Sequence, residues 1–177
     1  MKPPVLRTAR TDDAEAIAAA EAETQRSPGL LVGWPGDIPV AEYREKIEKL
    51  AMHGRYLVAE QDAALVGHAF LDPLSVRMRG VAHVFLLTIV VHPGHTGRGI
   101  GAAMLGDLLA WAEHDERVGK VELNVRAGNL RAQRLYRSMG FVEEARFRNR
   151  VRRIDGVFED DLGMAWFPHH GAPSRTP

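Results

Sequence analysis

The chain has 177 residues, of which 45% are hydrophobic and 26% charged, the size and composition of one soluble globular domain. Its 23 basic and 23 acidic side chains cancel, so no bulk attraction draws the protein to nucleic acid or to an anionic membrane. Cysteine is absent, which excludes disulfides, thiolate zinc sites and a cysteine nucleophile.

No stretch of the sequence is suited to crossing a membrane. The longest apolar run covers residues 84–91, whereas a membrane-spanning helix needs roughly 20 apolar residues. The start, Met-Lys-Pro-Pro, lacks the apolar stretch of a secretion signal. We therefore expect a cytoplasmic protein with no membrane partner.

The pattern of apolar residues, glycines and prolines predicts one domain over residues 1–168 and a flexible polar tail over 169–177. An apolar loop near residues 27–36, which holds Trp34, is expected to cover a site or to form a dimer contact.

The predicted elements are, in chain order, a strand over 5–8, a helix capped by Thr11 and ending near Gln25, a helix from about Val40, paired strands over 56–60 and 64–71, a strand over 82–91, a helix over 99–115, a strand over 118–125, a helix over 129–139 that Gly140 closes, and a final hairpin.

The final hairpin is predicted to turn at Asp155-Gly156, a strong signal for a two-residue turn. Asp160 then falls on the apolar side, whereas the run of arginines forms the solvated side, opposed by acids, and does not form a nucleic-acid patch. This register predicts three facing pairs: Ile154 with Val157, Arg152 with Glu159, and Arg150 with Asp161.

The segment that carries chemistry is a loop of alternating glycines between a strand and a helix. Gly97, Gly99 and Gly101 allow free backbone N–H groups to point at one spot at a positive helix end, which favours a phosphate cradle over a simple tight turn. A Walker loop is excluded because Ala102 follows where Lys is required. The spacing also fits a dinucleotide motif with Glu122 as the ribose acid, but here three strands precede the loop.

Two motifs in the right order resemble the GNAT superfamily of acetyl-CoA-dependent N-acetyltransferases. The first is Val91-His92-Pro93 followed by Thr96-Gly97-Arg98-Gly99-Ile100-Gly101, and the second is Asn129-x-x-Ala132-x-x-Leu135-Tyr136 followed by Gly140-Phe141. The ending Gly156-x-Phe158-x-Asp160-x-x-x-Met164 is similar to that of bacterial members that act on amino acids or similar small amines. The resemblance implies one α/β (α+β) domain with a mixed, mostly antiparallel sheet of about seven strands, splayed beside the central strand, and about four helices.

The resemblance also implies the residues that hold acetyl-CoA as cosubstrate. Tyr136 is implied as the acid that protonates the departing thiolate; the alternative is a core aromatic whose hydroxyl bonds a neighbour. Thr96 departs from the family's Gln or Arg at that position, which implies slightly weaker binding of the pyrophosphate. The implied cofactor-binding residues are Ile89, Val90, Val91, Thr96, Gly97, Arg98, Gly99, Ile100, Gly101, Ala102 and Asn129.

The base that deprotonates the acceptor amine is left open, because the central strand lacks the carboxylate found in many family members. The candidates are His83, Glu60, Asp160 and water. We expect direct, metal-free transfer to the primary amine of an amino acid or similar small-molecule substrate. Acetylation of protein N-terminal amines and a non-catalytic acyl-CoA sensor are the alternatives, and a homodimer is possible.

Overall fold

The computed structural model describes residues 4–27 and 31–169. Residues 28–30 of the predicted apolar loop and residues 170–177 of the predicted tail lie outside these ranges. The elements are β1 (Val5–Thr8), α1 (Ala14–Gln25), α2 (Val40–His53), β2 (Arg55–Gln61), β3 (Ala64–Pro73), β4 (Val84–Val91), α3 (Ile100–His114), β5 (Lys120–Arg126), α4 (Leu130–Ser138), β6 (Val142–Arg152) and β7 (Phe158–Trp166).

One seven-stranded sheet has the order β1-β2-β3-β4-β5-β7-β6. Every neighbouring pair is antiparallel except β4 and β5, which run parallel. This confirms the predicted α+β domain with a mixed, mostly antiparallel sheet and four helices. It differs from a dinucleotide-binding domain, whose sheet is mostly parallel.

Two apolar cores lie on opposite faces of the sheet because successive strand residues point to opposite sides. On β2, Leu57 and Ala59 pack with the buried stripe of α3, whereas Tyr56 and Val58 pack with α1 and α2. The central position of β3 and β4 between these layers explains their almost continuous apolar sequence. The carboxyl end of β4 therefore lies in the middle of the molecule.

The predicted start of the first helix is wrong in one respect. Thr11 does not cap it; residues 11–13 form a 3-10 turn whose cap position is Arg10. The carboxylate of Asp13 accepts a hydrogen bond from the backbone N–H of Arg10 at 2.7 Å and also pairs with Arg7. Asp13 thus satisfies the backbone N–H at the cap position from within the turn.

The predicted register of the final hairpin is also wrong. The N–H of Arg153 donates to the carbonyl of Val157, which leaves a three-residue turn ending in Gly156 at φ +84°. A second irregularity surrounds Asn149, at φ +50°. Both shift the pairing, so that the facing pairs are Arg152 with Phe158 and Phe147 with Asp161.

Asp160 does lie on the face of β7 that carries Leu162 and Met164, as predicted, but it lies beyond the apolar core, where its side chain is 24% exposed. Its carboxylate accepts hydrogen bonds from Arg146 Nε and from the N–H of Asn149, both at 2.9 Å.

Within residues 4–27 and 31–169, no helix combines the length and the apolar character needed to cross a membrane.

Candidate active site

A cavity of about 520 Å³ opens where β4 and β5 separate. Their parallel pairing ends at Leu86 and Glu122, whereas β4 remains paired with β3 as far as Val91. The carboxyl half of β4 therefore has one edge whose backbone groups face the cavity. An extended ligand placed there gains the hydrogen bonds that a neighbouring strand would supply.

The glycine loop forms one wall of this cavity. Gly97 and Gly99 have φ of +84° and +78°, values that L side chains rarely adopt, and Gly99 directly precedes α3. A Cβ on Gly99 would meet no protein atom within 4 Å, so backbone conformation and not crowding requires glycine here. The first N–H groups of α3 remain free toward the cavity, and the helix dipole favours an anion there.

Helix α4 forms the opposite wall. Asn129 caps it, with Oδ1 accepting a hydrogen bond from the N–H of Ala132 at 3.1 Å. Tyr136 is buried and lines the cavity, yet its hydroxyl has no hydrogen-bond partner among the described residues. Burial raises the pKa of Tyr136, so the phenol stays protonated at neutral pH. The ring of Tyr136 packs in the apolar core against Phe141, with ring centroids 5.6 Å apart.

The structure brings most of the predicted site residues together. Of the implied cofactor-binding residues, Arg98 alone is not part of the cavity lining. Of the other residues that line the cavity, Ala132 and Leu135 belong to the second motif, and Leu31 and Val32 belong to the predicted apolar loop. The rest were not assigned to a site from the sequence, because the fold collects the lining from five elements and a loop. Together, the other lining residues are Thr24, Leu31, Val32, Leu87, Thr88, Asn124, Val125, Arg126, Arg131, Ala132, Leu135 and Asp161.

None of the three candidate bases lines the cavity. His83 precedes β4 at the end remote from the cavity, where its carbonyl accepts the N–H of Gly119. The pKa of Glu60 is lowered by its hydrogen bond from Arg7. The pKa of Asp160 is lowered by the N–H of Asn149 and by Arg146. Both carboxylates are thus engaged as anions away from the cavity.

The remaining side of the cavity is built around one buried ion pair. Arg126 Nη1 lies 2.9 Å from Asp161 Oδ1, and Arg126 Nη2 donates to the carbonyl of Leu31 at 3.0 Å. This side also contains Val32 and Thr24. The guanidinium therefore ties the loop that follows α1 to strands β5 and β7 on that side of the cavity.

Behind Thr24 lies a buried polar cluster of α1, β3 and the end of β4. His68 is fully buried, with Nδ1 at 3.1 Å from the hydroxyl of Tyr56 and Nε2 at 3.2 Å from Glu21 Oε2. Burial raises the pKa of Glu21, but the hydrogen bond and charge of His68 outweigh it, so the net shift is downward. Glu21 is therefore an anion within the core.

His92 belongs to the same cluster and stacks on His68, with ring centroids 5.6 Å apart. The hydroxyl of Thr24 donates to the carbonyl of Ala20 at 2.8 Å, so at its 3.2 Å contact with His92 it accepts from Nδ1. Burial and the neighbouring His68 lower the pKa of His92 to about 4. His92 is thus neutral at pH 7.

The sequence of this chain is similar to those of known proteins. The profile of the Acetyltransferase (GNAT) family matches residues 16–141. The N-alpha-acetyltransferase RimI of Mycobacterium tuberculosis is 38% identical over 147 residues, 81% of this chain and 82% of RimI. The L-amino acid N-acetyltransferase AaaT of Escherichia coli is 28% identical over 163 residues, 91% of this chain and 96% of AaaT.

A solved structure has the same fold. The phosphinothricin acetyltransferase of Sinorhizobium meliloti, in complex with acetyl-CoA, superposes with a TM-score of 0.84 at 19% identity and covers 99% of this chain and 94% of that one. The chain belongs to the GNAT family of acetyltransferases. The resemblance inferred from the two sequence motifs is confirmed.

Proposed function

We propose that the protein transfers an acetyl group from acetyl-CoA to the primary amine of an amino acid or a similarly small molecule. The observation that carries this choice is the hydrogen bond from Arg126 to the carbonyl of Leu31, which holds the loop after α1 against the acceptor side of the cavity. A loop held there leaves less room for the acceptor, which suits a small amine, whereas a protein N-terminus needs an open groove for the chain that follows it.

The cavity fits acetyl-CoA in three independent ways. The unpaired edge of β4 over residues 87–91 offers backbone groups to the pantetheine amides. The left-handed Gly97 and Gly99 and the start of α3 offer N–H groups to the pyrophosphate. The NH₂ group of Asn129 has no partner among the described residues and faces the same space from α4.

Direct transfer needs little from the side chains. The amine nitrogen forms a bond to the thioester carbonyl carbon, the C–S bond breaks, and the Tyr136 hydroxyl gives its proton to the departing sulfur. The chain has no cysteine to carry an acetyl group. The sole carboxylate among the described lining residues, Asp161, is held by Arg126, so the ammonium proton leaves through water.

A second candidate is acetylation of peptide N-terminal amines. It is favoured by the 38% identity to a protein named an N-alpha-acetyltransferase. The two candidates differ in the size of the acceptor that the cavity admits beside this loop. The sensor alternative predicts cofactor binding without transfer to any amine.

The test is release of the CoA thiol from acetyl-CoA with free amino acids, polyamines, aminoglycosides and short peptides at equal concentration. We expect kcat/KM for the best free amino acid or small amine to exceed that of every peptide by at least tenfold. A preference for peptides would establish the second candidate. Tight binding of CoA in calorimetry with no release from any acceptor would favour the sensor.

A further inference from the structure

Arg131, in the first turn of α4, reaches across the cavity mouth to the glycine loop. A Cβ placed on Gly97 would lie 3.7 Å from Arg131 Nη2 and 3.9 Å from Nη1. Both residues line the cavity, and the guanidinium has no hydrogen bond or ion pair with the described residues. The positive group therefore stands beside the loop whose free N–H groups favour an anion.

The charges that line the cavity leave Arg131 unbalanced. Among the described lining residues, three side chains are charged: Arg126, Asp161 and Arg131. The first two neutralise each other at 2.9 Å. The net charge of the lining is thus that of one guanidinium, and it lies at the end of the cavity beside α3.

The position of Arg131 in its helix also points to an anion. A cation in the first turn is disfavoured by the positive end of the helix dipole, and α4 has no acidic residue in that turn to offset it. A bound anion between the starts of α3 and α4 removes this repulsion. An anion held by the glycine loop would lie beside the guanidinium of Arg131.

We propose that Arg131 binds the pyrophosphate of acetyl-CoA, supplying from α4 the charged side chain that Thr96 does not supply from the glycine loop. This inference rests on the proposed use of acetyl-CoA. The side chain at position 96 is too short and uncharged to pair with a phosphate, whereas a guanidinium pairs with two phosphate oxygens at once. The binding site is therefore complete without a long residue at the start of the motif.

Calorimetric titration of CoA into Arg131→Gln tests the assignment. Removing a hydrogen bond to a charged group is expected to weaken CoA binding about tenfold. Arg134→Gln is the matched control, because it removes the same charge one turn along α4 from a residue outside the cavity lining. We expect its CoA affinity to stay within about twofold of the unmodified protein.

Shortened ligands separate the pyrophosphate from other contacts. Dephospho-CoA, which lacks the 3′-phosphate but keeps the pyrophosphate, is expected to show the same tenfold loss in Arg131→Gln. Acetyl-pantetheine, which has neither, is expected to be used with equal kcat/KM by both proteins. A loss confined to CoA would overturn the assignment in favour of the 3′-phosphate, and an equal loss with acetyl-pantetheine would show a structural role.

Placing the family's arginine at position 96 gives a second, independent test. In the Arg131→Gln background, Thr96→Arg is expected to recover most of the lost CoA affinity. No recovery, or unchanged affinity in Arg131→Gln itself, would contradict the inference while leaving the proposed function intact. Failure of the unmodified protein to bind CoA would instead remove the proposed function.

Discussion

Arg126 on β5 and Asp161 on β7 are register partners and form an ion pair whose side chains are only 5% and 4% exposed. The same guanidinium holds the carbonyl of Leu31. The side chain of Arg126 therefore joins β5, the final hairpin and the loop that follows α1. Both the stability of the domain and the shape of the cavity depend on it.

We expect Asp161→Ala to lower the free energy of unfolding by about 3 kcal/mol, because it removes the nearer counter-charge of a buried guanidinium and leaves only Glu159, 3.6 Å from Nε. Denaturant unfolding measures this loss. Glu143→Ala, which breaks the exposed pair with Arg137, is the control and is expected to cost about 1 kcal/mol or less. Equal losses of unfolding free energy in the two variants would show that the buried pair stabilises the fold no more than an exposed pair does.

Replacement of Gly99 by Val separates backbone strain from cofactor binding. The positive φ makes the substitution cost about 1–3 kcal/mol of stability, and the new side chain enters the phosphate cradle. We expect acetyl-CoA affinity to fall at least tenfold. Gly156→Val is the control, since that glycine has φ +84° with open space around it, in the hairpin turn. Unchanged affinity in Gly99→Val would contradict the cradle.

The buried His92 makes stability depend on pH. Its pKa is about 4 in the folded chain and about 6.5 when unfolded, so between these values the unfolded state binds more protons. Its contribution is therefore complete above pH 6.5 and is lost as pH falls toward 4. We expect about 2 kcal/mol of unfolding free energy to disappear between pH 7.5 and 5.

The variant His92→Gln identifies the source of that dependence. It keeps a polar side chain near Thr24 but cannot take up a proton. We expect its unfolding free energy to be lower at pH 7.5 and to change less between pH 7.5 and 5 than that of the unmodified protein. The same pH slope in both proteins would assign the effect to other titrating groups.

The pH dependence of transfer reports on the missing base. Because the described lining holds no free carboxylate, kcat/KM should rise with pH until the acceptor amine itself is neutral. The midpoint should then move with the acceptor, from about 8 for a peptide α-amine to about 10 for an alkyl amine. One midpoint near 6 to 7 for every acceptor would reveal a base of the protein.

The elements and the cavity wall followed from local patterns in the sequence. The alternating glycines, the spacing from Asn129 to Tyr136 and the apolar stripe of α3 each depend on residues a few positions apart. The predicted helix and strand ends agree with the structure within about two residues. The splay between β4 and β5 followed only from the family resemblance.

The errors and omissions arise from tertiary context. The hairpin register was wrong because Asp155-Gly156 suits both a two-residue turn and the end of a three-residue turn, and no local signal marked the bulge at Asn149. Arg131 and Thr24 were missed because only the assembled fold brings α4 and α1 to the cavity. Residues that come together only in the tertiary structure leave no characteristic spacing in the sequence.

The most direct test of acetyl transfer compares the unmodified protein with Tyr136→Phe in amine-dependent release of the CoA thiol. The hydroxyl has no structural partner among the described residues, so its removal should spare the fold. We predict a fall in kcat of about a hundredfold or more with CoA affinity within about twofold. Equal losses of turnover and affinity, or unchanged turnover, would contradict the assignment of Tyr136 as the acid.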